Sequence, residues 1–214
     1  MSGHWKIGFV PIPITGSISM IFGLKILCLV LLFFGGASPL HADWPGAWGL
    51  TQLGEALAEA PEGRVAFTET RTVSYLDAPI TLSGYVLRQG DRIEKHIVSP
   101  MQESIVIDGT TVQVDTAEGE HHRFDINDHG LIKGLAMALK ATLTGDLNGL
   151  DNQFDVTLSG ADSGWQLHLV PLDDSVRKSL PGLTLAGAEG IVETIEIEGE
   201  NGDTSIMTLQ HSVP

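Results

Sequence analysis

The residues of this chain that could do chemistry are scattered along it. Of its eight histidines, His4 and His41 fall within the first 42 residues. His121 and His122 are adjacent on a segment with strand character, so their side chains point to opposite faces, a poor geometry for holding one metal ion. His96, His129, His168 and His211 come one to a segment. Solvated histidines are expected, not a metal centre. The carboxylates Asp173-Asp174, followed by Ser175-Val176-Arg177-Lys178, fit a turn and the acidic start of a short helix. A hydrolytic pair would need carboxylates opposed across a cleft about 5–9 Å apart, a separation that chain spacing does not reveal. No Gly-x-Ser-x-Gly elbow, phosphate loop, dinucleotide fingerprint or His-Glu-x-x-His helix occurs. These residues point to a protein that binds without catalysing, and with no cofactor.

The single cysteine, Cys28, belongs to the apolar run Ile26-Leu27-Cys28-Leu29-Val30-Leu31-Leu32-Phe33-Phe34, which follows Lys25 and leads into Gly35-Gly36-Ala37-Ser38-Pro39-Leu40-His41-Ala42. Positive charge, short apolar core and small-residue exit stand in the order of a cleavable secretory signal. The run is shorter than the ~20 residues of a spanning helix, and Leu40-x-Ala42 predicts cleavage before Asp43. Residues 1–42 are therefore read as a signal peptide, starting at Met1 or Met20, and 43–214 as one exported, periplasmic domain. Cys28 follows Lys25-Ile26-Leu27 and not the small residues of a lipidation signal. The exported domain thus has no disulfide, no thiolate metal site and no thiol nucleophile, and rests on an ordinary core. Loss of Lys6 and Lys25 takes the formal charge from −15 to −17. Such a field repels nucleic acid and anionic membrane surfaces, so no nucleic-acid partner is expected.

The elements that must position any binding site follow from punctuation and period. Turn signals recur at Ala78-Pro79, Gln89-Gly90-Asp91, Ser99-Pro100, Asp108-Gly109, Glu118-Gly119, Asp162-Ser163-Gly164 and Asn201-Gly202-Asp203. Between them lie ten short runs rich in β-branched residues, at 64–73, 80–88, 92–98, 103–107, 111–115, 122–126, 153–158, 165–170, 191–198 and 204–210. They predict one large meandering antiparallel sheet. Several strands are apolar on both sides: Tyr85 and Leu87 against Leu82 and Val86, Ile105 and Ile107 against Val106, and Trp165, Leu167 and Leu169 against Val170. A sheet with one face under helices and the other partly closed on itself gives this mixture, and so does an incomplete barrel.

Two segments are helical by period. Over 48–60, Leu50, Leu53, Leu57 and Ala60 form a stripe that Pro61 stops. Over 131–143, Leu131, Leu135, Leu139 and Leu143 recur every fourth residue while Ile132, Ala136, Met137 and Ala138 widen the apolar surface, leaving Lys133 and Lys140 to face water. A helix this apolar either fills a core or lies as a lid over a curved sheet with room beneath it. Periodicity leaves both open.

The order of these features resembles the periplasmic outer-membrane lipoprotein carriers, the LolA-like family, over essentially all of 43–214. The N-terminal helix leads to Phe67-Thr68-Glu69-Thr70-Arg71, Leu82-Ser83-Gly84-Tyr85-Val86-Leu87, Asp91-Arg92-Ile93-Glu94-Lys95 and Pro100-Met101-Gln102-Glu103-Ser104-Ile105-Val106-Ile107-Asp108-Gly109. After the central helix come Phe154-Asp155-Val156-Thr157-Leu158, Trp165-Gln166-Leu167-His168-Leu169-Val170-Pro171 and Ile191-Val192-Glu193-Thr194-Ile195-Glu196-Ile197. The resemblance implies an unclosed antiparallel β-barrel covered by an N-terminal helix and a central lid helix. It implies a monomeric carrier that holds acyl chains of a lipid or lipoprotein, loaded by an inner-membrane transporter and unloaded to an outer-membrane receptor.

The lipid-binding residues would then be Leu131, Ile132, Leu135, Leu139 and Leu143 of the lid, and Val86, Ile105, Ile107, Trp165, Leu167 and Leu169 of the sheet. At the end of its second strand the family has a basic residue, an arginine and a proline, the arginine being linked to lid closure. This chain has Arg88-Gln89-Gly90 there, which makes it a divergent paralogue whose lid gating falls to Arg88 or Gln89. A lipid-sensing or accessory module of an envelope-lipid pathway, and an enzyme acting on an envelope lipid, are the other readings.

Overall fold

A computed structural model describes residues 48–128 and 130–211. The signal-peptide reading of 1–42, with its two candidate starts and its cleavage before Asp43, lies outside the described residues, as does His129. Eleven strands form one antiparallel sheet: β1 (Gly63–Thr72), β2 (Ile80–Gln89), β3 (Arg92–Ser99), β4 (Glu103–Asp108), β5 (Thr111–Thr116), β6 (His121–Asp125), β7 (Phe154–Ala161), β8 (Gly164–Pro171), β9 (Gly182–Ala188), β10 (Ile191–Glu198) and β11 (Thr204–Gln210). The helices are α1 (Leu50–Ala58), α2 (Gly130–Thr144) and α3 (Asp174–Ser179).

Two hairpin meanders make up the sheet, in the order β6-β5-β4-β3-β2-β1-β11-β10-β9-β8-β7, joined where β1 pairs with β11. β6 and β7 are its two edges, so the barrel is not closed. They are consecutive in sequence, and the connection between them carries α2. The lid helix therefore belongs to the link between the two free edges.

Ten of the eleven strands coincide with the β-branched runs to within a few residues. β9 is the addition, and its Gly182-Leu-Thr-Leu-Ala-Gly-Ala sequence carries little β-propensity of its own. Its neighbours place it: Leu183 and Leu185 pair with Leu169 and Leu167 of β8 and with Ile197 and Ile195 of β10. Gly187, opposite Trp165, makes room for the indole, because a Cβ there would stand 2.8 Å from the ring.

Alternation separates the two faces. On β8, Trp165, Leu167 and Leu169 are buried between exposed Gln166 and half-buried His168 and Val170. Register carries the same face through Leu183 and Leu185, Ile195 and Ile197, Met207 and Leu209, Val65 and Phe67, then Leu82 and Val86. This is the helix-covered face. The other face is not bare: on β2 and β3, Tyr85 stacks on His96 with ring centres 4.6 Å apart, and the Arg64 guanidinium lies 3.6 Å from the Tyr85 ring centre. That second layer explains why the strand pattern reads as apolar on both sides.

The stripe of α1 is buried at Leu53 and Leu57, while Leu50 stays exposed. Gln52 accepts a hydrogen bond from the Gly49 N–H at 3.0 Å and starts the helix; Pro61 follows its end. Helix α2 ends at Gly145, whose φ of +77° needs glycine. There α1 and α2 meet backbone to backbone, since a Cβ on Gly54 would stand 2.8 Å from the Gly145 carbonyl oxygen and one on Gly145 would stand 2.3 Å from that of Gly54. Asp173 caps α3, accepting from the N–H groups of Ser175 and Val176 at 2.8 and 3.1 Å, as its acidic start predicts.

Candidate functional site

The helix-covered face is the site that the strands and helices build, and α2 is its roof. Two apolar clusters meet under this helix. Leu135, Ala138 and Ala141 enter the main core with Leu53, Leu57, Phe67, Trp165, Leu167, Leu169 and Leu185, and partly buried Leu131, Leu139, Leu143 and Val86 pack against it. About 100° round the helix, Ala136 and Ile132 join Val112, Val114 and Ile126, with partly buried Ile105, Ile107 and Phe124. The apolar surface of α2 is wide because it packs on both halves of the curved sheet. Lid and sheet are in contact in this conformation: Leu135 is 8% exposed, and Leu167 and Leu169 are fully buried.

Lys133 and Lys140 were expected in water, yet both are half-buried. Lys140 donates to Asp91 in the β2–β3 turn at 2.6 Å, an ion pair that period cannot foresee because 49 residues separate the partners. The same hairpin end reaches α1. Arg88 donates to the Ala60 carbonyl just past that helix, and the Gly90 N–H donates to Glu62 Oε1 at 2.9 Å. Gln89 is exposed, and strand alternation sends its side chain to the face opposite Arg88. Of the two lid-gating candidates, Arg88 reaches the α1 side, at Ala60 just past that helix, and not α2. The lid itself is tied to the hairpin by Lys140 and Asp91.

One group of charges interrupts the apolar face, and the sequence reading did not single it out. Glu69 of β1 is 2% exposed. Its Oε1 accepts from Arg71 Nε at 2.6 Å and from Ser205 Oγ at 2.7 Å, and its Oε2 accepts from Lys95. The Lys95 ammonium stands 5.1 Å from the Phe67 ring centre. Burial alone would raise the Glu69 pKa, but Lys95 and Arg71 outweigh it and hold the carboxyl down at about 2. Burial pushes Lys95 down, with Glu69 resisting. The signal that finds this cluster is period two: Phe67, Glu69 and Arg71 share a face, as do Ile93, Lys95 and Ile97.

At the end of the sheet where β3 turns into β4, a cleft of ≈ 270 Å³ opens among Tyr85, His96, Ile97, Gln102, Glu103 and Thr116, with Val98, Ser104, Asp115 and Ala117 completing it. Among the described residues, the buried side-chain atoms without a hydrogen-bond partner include Glu103 Oε1, Thr116 Oγ1 and Trp165 Nε1. His121 and Asp115 pair on the outer face at 2.6 Å, and His96 pairs with Glu94 at 2.7 Å. Each of these histidines has its own carboxylate.

The profile of the outer membrane lipoprotein carrier protein LolA-like family matches residues 42–212. No protein of curated function matches significantly. Among solved structures, a LolA superfamily protein from Nitrosomonas europaea is 13% identical, with 78% of this chain and 96% of that one covered and a TM-score of 0.39. A DUF1329 family protein from Desulfovibrio piger is likewise 13% identical, with 76% and 89% covered and a TM-score of 0.43.

Proposed function

The chain belongs to the outer membrane lipoprotein carrier protein LolA-like family, and from that premise we propose that it is a periplasmic carrier. It takes the acyl chains of a lipid or lipoprotein between α2 and the sheet and moves them from the inner to the outer membrane. An inner-membrane transporter loads it and an outer-membrane receptor unloads it; the carrier itself acts as a monomer.

One observation supports this most directly. A single helix roofs two apolar clusters on the two arms of a sheet that is not closed, so lifting that helix would uncover apolar surface on both arms. Polar ties on that roof are few: among the hydrogen bonds of the described residues, Lys140 to Asp91 at the hairpin end is the one that spans from α2 to the sheet. Leu131, Leu135, Leu139 and Leu143 would contact the chain from above, with Ile132 beside them. Val86, Ile105, Ile107, Trp165, Leu167 and Leu169 would contact it from below. Arg88 holds α1 against the hairpin, and so fixes the wall beside which the lid moves.

Titration of the exported domain with a fluorescent fatty acyl probe should give saturable binding, and a loaded domain should deliver the probe from donor to acceptor vesicles. Saturable binding without delivery would leave the lipid-sensing module as the better reading, and no binding would remove both. The export step has its own test. The protein released with the periplasm should begin at Asp43; finding Met1 or Met20 at its N-terminus in a membrane fraction would refute the signal-peptide reading.

A further inference from the structure

The ionic group on β1 and β3 carries an inference that rests on the carrier reading and narrows its substrate class. We propose that Arg71 and Lys95 form the head-group end of the cargo site and take an oxyanion, the carboxylate or phosphate that ends an acyl chain.

Register sets Phe67, Glu69 and Arg71 of β1 on the helix-covered face beside Leu82 and Ile80 of β2, and Lys95 of β3 on the same face beside Val86. Gly84, between Phe67 and Ile97, adds no side chain there. Lys95 therefore reaches across the Phe67 ring to Glu69, with its ammonium 5.1 Å from the ring centre. Glu69 is filled: Arg71 Nε and Ser205 Oγ donate to one oxygen at 2.6 and 2.7 Å, and Lys95 donates to the other. The two cations are not. Neither terminal nitrogen of Arg71 nor a second N–H of Lys95 meets an acceptor among the described residues, and both side chains keep solvent contact, at 15% and 20% exposure. An arginine that gives only its Nε–H to one carboxylate leaves its terminal NH groups as a fork, the geometry that holds a carboxylate or phosphate bidentately.

Donors and not acceptors are left over on this patch, and that selects the class. Glu103 is the other carboxylate that Lys95 feels, but its unpaired oxygen is sealed from solvent and cannot receive a cation. Burial alone would raise the Glu69 carboxyl, yet it is held at about 2, so the two cations prevail locally in a chain that is acidic overall. An anion meets attraction and donors here. Position places the acyl chain. Phe67 and Leu82, which flank Glu69, belong to the main apolar cluster beneath α2, while Ile80, beside Arg71, is 36% exposed. The patch thus stands where the covered apolar face gives way to solvent, and the head of a chain lying under α2 would come to rest there.

Three ligands with one saturated chain test this, ending in a carboxylate, a phosphate monoester or a neutral primary amide and competing for the exported domain against the fluorescent acyl probe. The two anions should bind about tenfold more tightly than the amide, the scale of one charge-assisted hydrogen bond, and the gap should narrow as salt rises. Arg71→Gln and, separately, Lys95→Gln should bring the ratio to within about twofold while the domain still unfolds cooperatively. Arg71→Lys, which keeps the charge and loses the fork, should fall between. Equal binding of all three ligands by the unmodified protein overturns the subsite and leaves the carrier reading standing. So does a preference that survives in both glutamine variants. Displacement of the probe by inorganic phosphate alone overturns it too, since the site would then take a free anion and not the head of the cargo. Failure of every acyl ligand to bind overturns the carrier reading and the subsite with it.

Discussion

Replacing Glu69 by alanine is expected to cost the folded protein about 3–5 kcal/mol, the usual penalty for stranding one member of a buried ion pair. Glu69 is 2% exposed, and removing its carboxylate leaves Lys95 and Arg71 facing each other on the sheet with only Ser205 between them. The same geometry sets the response to acid. The carboxyl is held at about 2 in the fold, below its ordinary value, so its contribution is fully present above the unfolded pKa and is lost as pH falls toward the folded one. Stability should therefore drop between about pH 4.5 and 2, and the Glu69→Ala protein should show a flatter profile there. Denaturant unfolding at neutral pH and through that acid range measures both. If the substitution costs under about 1 kcal/mol, the cluster is wetter than the structure places it. A control separates the lost pair from lost packing: Glu69→Met combined with Lys95→Met should recover much of the penalty, because apolar replacement of both partners is often close to neutral.

That cluster shows what the sequence could and could not reveal. The strands were legible because β-branched runs between turn residues need no tertiary context, and Trp165, Leu167 and Leu169 alternate cleanly enough to mark the buried face. β9 was not, because glycine and alanine carry its sequence; the indole of Trp165 on one side and paired leucines on both are what make it a strand. The lid was legible as a helix from its four-residue leucine spacing. Its second contact was hidden, since Ile132 and Ala136 reach a cluster on β4, β5 and β6 whose position depends on how the sheet curls. The same holds for Lys140, whose partner Asp91 lies 49 residues away in the β2–β3 turn. Period assigns a residue to a face. It does not say which distant element that face meets.

The lid should behave as a removable part of the core, and the paired effects of three substitutions decide whether it does. Burying an acyl chain contributes ~0.8 kcal/mol per methylene, so some fourteen carbons bring on the order of 10 kcal/mol, less the contact between lid and sheet that the chain displaces. A carrier that must release its cargo needs that displaced contact to be substantial. Leu135 is buried and Leu139 half-buried, so Leu135→Ala or Leu139→Ala should lower the stability of the empty protein by about 1–3 kcal/mol, at or below the lower end for a core leucine, and should also weaken the acyl probe. Trp165 is 2% exposed and seated over Gly187, so Trp165→Ala should cost about 3–5 kcal/mol and impair binding as well. Folding and probe affinity must be measured on the same variants, because either alone is ambiguous. Loss of both at the lid, with the sheet variant losing more stability for a similar loss of binding, is the pattern of a helix that covers a ligand. Should the lid variants lose stability as a core leucine does and still bind the probe as the unmodified protein does, α2 is ordinary core, and the cargo does not lie beneath it.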